Sequence, residues 1–170
     1  MDENTFPDVR WGTDPGPLLR RAVAAFAGSQ LGSWSIRKLT PVDHWLLRRS
    51  SGRFTIFGPI AAPLLLLATT GRKSGQRRET PLAYMREGER LFLVASNFGQ
   101  AQHPAWALNL GSDPNAWVTM GGTEIPVLAT PVIGAEHDRV YQKFIDYISN
   151  YDTYRHRTDR DIRVFALTRR

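Results

Sequence analysis

The sequence predicts an α+β fold, a small barrel of mostly antiparallel strands with flanking helices and a helical N-terminal extension. Three observations carry this. Apolar residues before residue 58 recur at helical spacing. After Gly58 the pattern changes to short runs rich in leucine, valine and aromatics. Those runs are separated mainly by glycine turns, with only short helical stretches between them.

Residues 1–14 are polar and punctuated by Pro7 and Gly12, and read as a loosely attached arm. From Leu18 the spacing of Leu18, Leu19, Ala22, Val23 and Phe26 predicts a first helix, with Arg20 and Arg21 on its other side. "TPVDHWLLRRSSG" predicts a second helix, with Thr40 as N-cap, Pro41 in the first turn and Gly52 beyond its end. Both helices carry an Arg-Arg pair. A solvated outer face accounts for the pairs; contact with an anionic membrane is the alternative.

Residues 64–69 read as a buried strand, and "ETPLAYMRE" and "ERLFLVAS" as two more joined at Glu87 and Gly88. Pro104 and Gly111 bracket a helix of about two turns. Gly121 and Gly122 sit between two β-rich runs and predict a hairpin over 115–133. Residues 134–151 form the clearest helix, with acids in its first turn, and "DIRVFALT" closes the chain as a strand. A chain of 170 residues with 42% apolar content supports one core. The expected organisation is therefore 1–58 as an arm and two helices packed on a barrel of 59–170.

The net charge of +6 and a pI near 10.2 favour an anionic partner. The absence of cysteine excludes disulfides, thiolate chemistry and Cys-ligated metal. "MDENTFPDVRWG" is acidic and does not read as a signal peptide. The longest apolar run, 59–68, is about half of what a membrane span needs. These readings predict a cytoplasmic protein, with peripheral attachment at the inner membrane face as the alternative.

The basic turn in "LLLLATTGRKSGQRRETPL" is the main chemical signal. Gly71 and Gly75 free the backbone, so that N–H groups around Ser74 are expected to face an anion beside Arg72, Lys73 and Arg78. The spacing is not that of a Walker phosphate loop. The four histidines lack metal-ligand spacing and no G-x-S-x-G elbow occurs, so neither a metal nor covalent catalysis is expected. Tyr147, Tyr151 and Tyr154 fall on one face if the helix continues that far, an arrangement that by itself reads as core.

"TTGRKSGQRRETPL", "LFLVASNFGQAQHPAWALNLGSDP" and "YDTYRHRTDRDIRVFALT" resemble the deazaflavin-dependent nitroreductases, actinobacterial oxidoreductases with a split β-barrel that use coenzyme F420. The resemblance covers roughly residues 60–170. It implies that Arg72, Lys73, Ser74 and Arg78, with Arg77 in the same turn, hold the phosphodiester and polyglutamate tail of the cofactor. It places Thr80, Pro81 and Leu82 under the deazaflavin ring, Ala95, Ser96 and Asn97 at its edge, and Trp106 in a neighbouring helix. Tyr151, Tyr154 and Ser96 become the candidate catalytic residues, serving a hydride transfer to a hydrophobic quinone, enone or nitroaromatic acceptor. A homodimer is within what the resemblance implies.

Departures from the family's pattern fall at Gln76–Arg77, Phe98, Ala83 and Ala107, and bear on the acceptor more than on the cofactor. The competing readings are an FMN-dependent split barrel, a non-catalytic carrier of F420 or lipid, and a nucleic-acid-binding barrel. The last is disfavoured because Phe92, Trp106 and Trp117 are not interleaved with the basic turn.

Overall fold

The computed structural model describes residues 5–8, 30–50, 63–147 and 150–170. Its elements are α1 (Gln30–Arg49), β1 (Leu64–Thr70), β2 (Arg77–Ala83), β3 (Met85–Glu87), β4 (Arg90–Val94), α2 (Ala105–Ser112), β5 (Asn115–Met120), β6 (Thr123–Val132), α3 (Gly134–Tyr147), α4 (Asn150–His156) and β7 (Val164–Arg169). The helix expected at 18–26 and the stop at Gly52 lie outside the described residues.

The strands form one antiparallel sheet in the order β2-β1-β5-β6-β7-β4-β3. It curls until β2 comes into contact with β4, giving a split barrel. Alternation explains the inner core. Leu65 and Leu67, Leu91 and Leu93, and Val118 and Val127 point inward and are fully buried. On β4 and β7 the opposite face is buried too, because Phe92, Val94, Val164 and Ala166 pack with Val140 and Phe144 of α3. Strands covered on both sides read as unbroken apolar runs, as "RLFLV" and "VFAL" do. β5 and β6 keep an open outer face and alternate instead. Gly121 and Gly122, at φ 57° and 87°, make the hairpin turn.

Three expectations need correction. The single strand expected over 79–87 divides at Tyr84, since β2 pairs with β1 while β3 pairs with β4, at the far end of the sheet order. Tyr84 marks the crossing. It is 4% exposed, and its N–H donates to Pro63 O at 3.1 Å.

The second N-terminal helix begins at Gln30, not Thr40, and carries Pro41 in its interior. An interior proline costs about 3 kcal/mol. α1 packs on β1 and β2 and buries Leu47 completely, a gain of about 1.5–3 kcal/mol that offsets much of that cost.

The arm is docked where it is described. Phe6 is 2% exposed within the inner core, and Arg86 and Arg169 donate to Phe6 O and Thr5 O, each at 2.7 Å. The predicted short helix holds, but runs to Ser112, one residue past Gly111.

Candidate active site

Residues 71–76 join β1 to β2 in a self-closed turn. Gly71 N–H donates to Gln76 O at 2.8 Å, while Ser74 N–H and Gly75 N–H donate to Gly71 O at 3.1 and 2.7 Å. Gly75 has φ +65°, and a Cβ at Gly71 would fall 2.8 Å from Ser74 Oγ. Gln76 N–H donates to Ser74 Oγ at 3.3 Å, and Arg72 N–H donates to Asn109 Oδ1 of α2 at 3.1 Å. The N–H groups of Arg72, Ser74, Gly75 and Gln76 are therefore spent within the protein, contrary to the expectation that those around Ser74 face an anion. The anion-binding capacity lies in the exposed side chains of Arg72, Lys73 and Arg78.

Arg77 points elsewhere, because alternation along β2 puts it on the face opposite Arg78. Its Nε donates to Glu79 Oε1 at 3.2 Å, its guanidinium pairs with the Glu124 carboxylate, and it lies 5.3 Å from the centroid of the Trp117 ring. Two carboxylates thus occupy it. The same alternation separates Thr80 and Leu82 from Pro81. Leu82 packs on the inner core opposite Leu65 in the register. Pro81 is tolerated because β2 is an edge strand.

The second part of the site is the end of β4. Ala95 is 1% exposed and belongs to the inner core, and Ser96 follows at 7%. The chain then makes a turn in which Asn97, Phe98 and Gly99 have φ 48°, 55° and 73°. Left-handed backbone at a bulky residue such as Phe98 is a genuine outlier, and such strain persists where the surroundings over-determine it. Here they do. A Cβ at Gly99 would fall 2.7 Å from Arg157 Cβ and 2.9 Å from Tyr154 O, so this turn and α4 lie in direct contact. Asn97 Nδ2 donates to Gln102 O at 2.8 Å.

α4 brings the two tyrosines to this turn. Phe98 and Tyr154 meet edge to face at 5.8 Å, and Tyr154 and Tyr151 at 5.9 Å. The Tyr151 phenol lies beside the Ser96 side chain. Burial pushes the Tyr151 phenol far up from its ordinary value of 10, with Tyr154 and Tyr141 adding to the shift, so it keeps its proton at neutral pH. Tyr141 Oη donates to Tyr151 O at 3.0 Å and fixes the start of α4. The shared face expected for Tyr147 is not formed. α3 ends at Tyr147, which is 54% exposed, whereas Tyr151 and Tyr154 are 8% and 5% exposed in the cluster beneath α3. Trp106 is also a core residue, 5% exposed and edge to face with Phe165 at 5.8 Å.

A family model described as F420H(2)-dependent quinone reductase matches residues 42–169, a span that holds both the basic turn and the Ser96–Tyr151–Tyr154 cluster. The chain belongs to this family. An F420H(2)-dependent quinone reductase of Mycobacterium tuberculosis is 37% identical over 130 residues, covering 74% of this chain and 86% of that one. A second M. tuberculosis protein, a putative F420H(2)-dependent quinone reductase, is 33% identical over 105 residues, covering 62% and 88%. Among solved structures, an F420-H2 dependent reductase superposes with a TM-score of 0.57 at 33% identity, covering 62% of this chain and 93% of that one. A structure described as a domain-swapped dimer superposes with a TM-score of 0.58 at 29% identity, covering 79% and 98%.

As a family member the chain is an oxidoreductase whose cofactor is coenzyme F420. The basic turn fits an anionic tail, since Arg72, Lys73 and Arg78 are exposed and residues 71–78 include no acid.

Two residues of this candidate site escape sequence reasoning. Asn109 is 5% exposed. Besides accepting from Arg72 it donates through Nδ2 to Thr69 Oγ1 at 3.0 Å, so α2 braces the basic turn. Arg160 donates through Nη2 to Ala95 O at 2.9 Å and Ser96 O at 2.5 Å, and through Nε to Gln100 O at 2.9 Å. The strained turn after β4 is thereby held by one guanidinium. Asn109 follows an apolar helix pattern and Arg160 lies in a charged stretch, so neither stands out locally.

Proposed function

We propose that the chain reduces quinones by hydride transfer, with the basic turn gripping the cofactor tail and the end of β4 receiving the reacting groups. Coenzyme F420 in its reduced form supplies the hydride when bound. Arg72, Lys73 and Arg78 hold its anionic tail, while Ser96 and Asn97 line the ring edge. Thr80 or Pro81 contributes according to which face of β2 the ring meets. Trp106 and Ala95 act from the core by shaping the floor.

The observation that carries this reading is the closeness of the Tyr151 and Ser96 side chains beside the strained turn at Asn97 and Phe98, a turn that packs directly on α4. A quinone oxygen gains negative charge as it is reduced and needs a proton. The Tyr151 phenol holds one at neutral pH, and Ser96 stands between that phenol and the end of β4. Phe98, half-buried and backed edge to face by the buried Tyr154, offers a ring on which a flat acceptor can stack. Residues 59–170 carry the site, and a homodimer belongs to the reading because one solved relative is a domain-swapped dimer.

Fluorescence titration with coenzyme F420, with FMN in parallel, tests the cofactor assignment. Arg72→Ala combined with Lys73→Ala should weaken F420 binding at least tenfold, since each charge-assisted contact contributes roughly 1.5 kcal/mol or more. Arg77→Ala should have a much smaller effect, because Glu79 and Glu124 already occupy its guanidinium. Equal losses in the two variants would overturn the division of roles.

A further inference from the structure

The turn after β4 keeps a phenylalanine where its backbone suits a glycine. Phe98 has φ 55° and ψ 25°, a conformation that strains an L side chain and is free to glycine. The turn is held from two sides. Arg160 donates to the carbonyls of Ala95, Ser96 and Gln100, and Asn97 Nδ2 donates to Gln102 O. Gly99, next in the chain, lies so close to Arg157 Cβ and Tyr154 O that a Cβ has no room. The Phe98 ring is therefore fixed in place, edge to face with Tyr154 at an interplanar angle of 73°. It packs on the outer cluster but stays half-buried, whereas Tyr154 is 5% exposed. An incoming molecule meets the Phe98 ring first. A strained residue, over-determined by its neighbours and open on one side, belongs to the class of outliers that gather at ligand clamps.

We propose that Phe98 selects the acceptor by planarity, favouring fully conjugated rings such as quinones over partly saturated rings such as cyclic enones. The proposal rests on the reading of the end of β4 as the acceptor site and deepens it. Both acceptor classes take a hydride and then a proton, and in both the developing negative charge sits on an oxygen, so Ser96 and Tyr151 treat them alike. They differ in shape. A quinone is flat and can lie against an aromatic ring over its whole area. A cyclohexenone carries tetrahedral carbons whose hydrogens stand off the ring plane, which holds the two rings apart and forfeits much of the contact.

Rigidity turns that difference in shape into selectivity. A side chain on a yielding loop would move aside for the thicker ring and accept both classes. Phe98 cannot withdraw without disturbing the Arg160 clamp or the packing of Gly99 on α4. The wall therefore discriminates against the puckered ring as well as favouring the flat one.

The experiment compares a methylated benzoquinone with a methylated cyclohexenone, rings of equal size, in the full chain and in Phe98→Leu, Phe98→Gly and Phe98→Tyr. Glycine takes the left-handed backbone freely, so the turn keeps its shape when the ring is removed. Two readouts are taken. One is kcat/KM with reduced F420, and the other is the Kd of each acceptor for protein carrying oxidised F420, where no hydride moves. Phe98→Leu and Phe98→Gly should lower the quinone-to-enone ratio about tenfold in both readouts, the scale of losing one aromatic contact. Phe98→Tyr should keep the ratio, and all three variants should keep the Kd for F420. Equal losses for the two acceptors would show that Phe98 only shapes the turn, and would overturn the proposal, as would a ratio unchanged in Phe98→Leu and Phe98→Gly or lost in Phe98→Tyr. A parent chain that binds F420 but neither binds nor reduces the quinone would overturn the acceptor-site reading itself, and this proposal with it.

Discussion

The Asn109 side-chain oxygen accepts the Arg72 backbone N–H at 3.1 Å, and its amide nitrogen donates to Thr69 Oγ1 at 3.0 Å. One buried amide thus ties α2 to both the end of β1 and the basic turn.

Asn109→Ala should therefore loosen the turn without touching a cation. It leaves a backbone N–H without its acceptor and costs about 1–3 kcal/mol. Thermal denaturation should show that loss, and F420 titration should show a higher Kd. An unchanged Kd would mean that the turn keeps its shape unaided.

Arg160 is a positioning residue for the turn after β4. Arg160→Ala removes donors from three carbonyls at once, so kcat should fall at least tenfold while F420 affinity changes little. Lysine offers no planar fork, and Arg160→Lys should recover only part of the rate. Full recovery in Arg160→Lys would show that bulk and charge suffice without the guanidinium geometry, and an undiminished rate in Arg160→Ala would remove the positioning role.

Tyr151→Phe and Tyr154→Phe separate proton supply from stacking. The first removes the hydroxyl that lies beside Ser96 and should lower kcat by tenfold or more with little change in cofactor affinity. The second keeps the ring that meets Phe98 and should have the smaller effect. Steady-state kinetics on a soluble quinone decides, and unchanged turnover in both variants removes the tyrosines from the chemistry.

Glu87 governs part of the acid stability. Hydrogen bonds from Arg139 and then Lys143 hold its carboxyl down at about 2, against an ordinary value of 4.5. A depressed folded-state value means that this stabilisation is fully present above about 4.5 and is lost as the pH falls through about 2. Glu87→Gln should lower stability near pH 7 by about 1 kcal/mol or less, given the partial exposure of the pair. The difference from the parent chain should shrink on acidification. Denaturant melts across that pH range test the sign.

Much of this fold is written locally. "LLLLATT", "RLFLV" and "VFALTR" declare strands by unbroken apolar runs, and Gly121 with Gly122 declares a hairpin. The Gly-Arg-Lys-Ser-Gly turn pointed to an anionic cofactor, and the family match agrees. Local signals could not say that α1 would continue through Pro41, because that depends on Leu47 finding a buried place against β1 and β2.

The sequence by itself determined the strand and turn chemistry, the positive charge of the β1–β2 turn and the resemblance to F420-dependent reductases. Each of these rests on residues a few positions apart. The tertiary structure alone decided that Tyr84 marks the crossing between distant sheet strands, that Arg77 is occupied by Glu79 and Glu124, and that Tyr151 meets Ser96. Those outcomes join residues up to some tens of positions apart, and they follow from how the sheet curls and which face each side chain is left to bury.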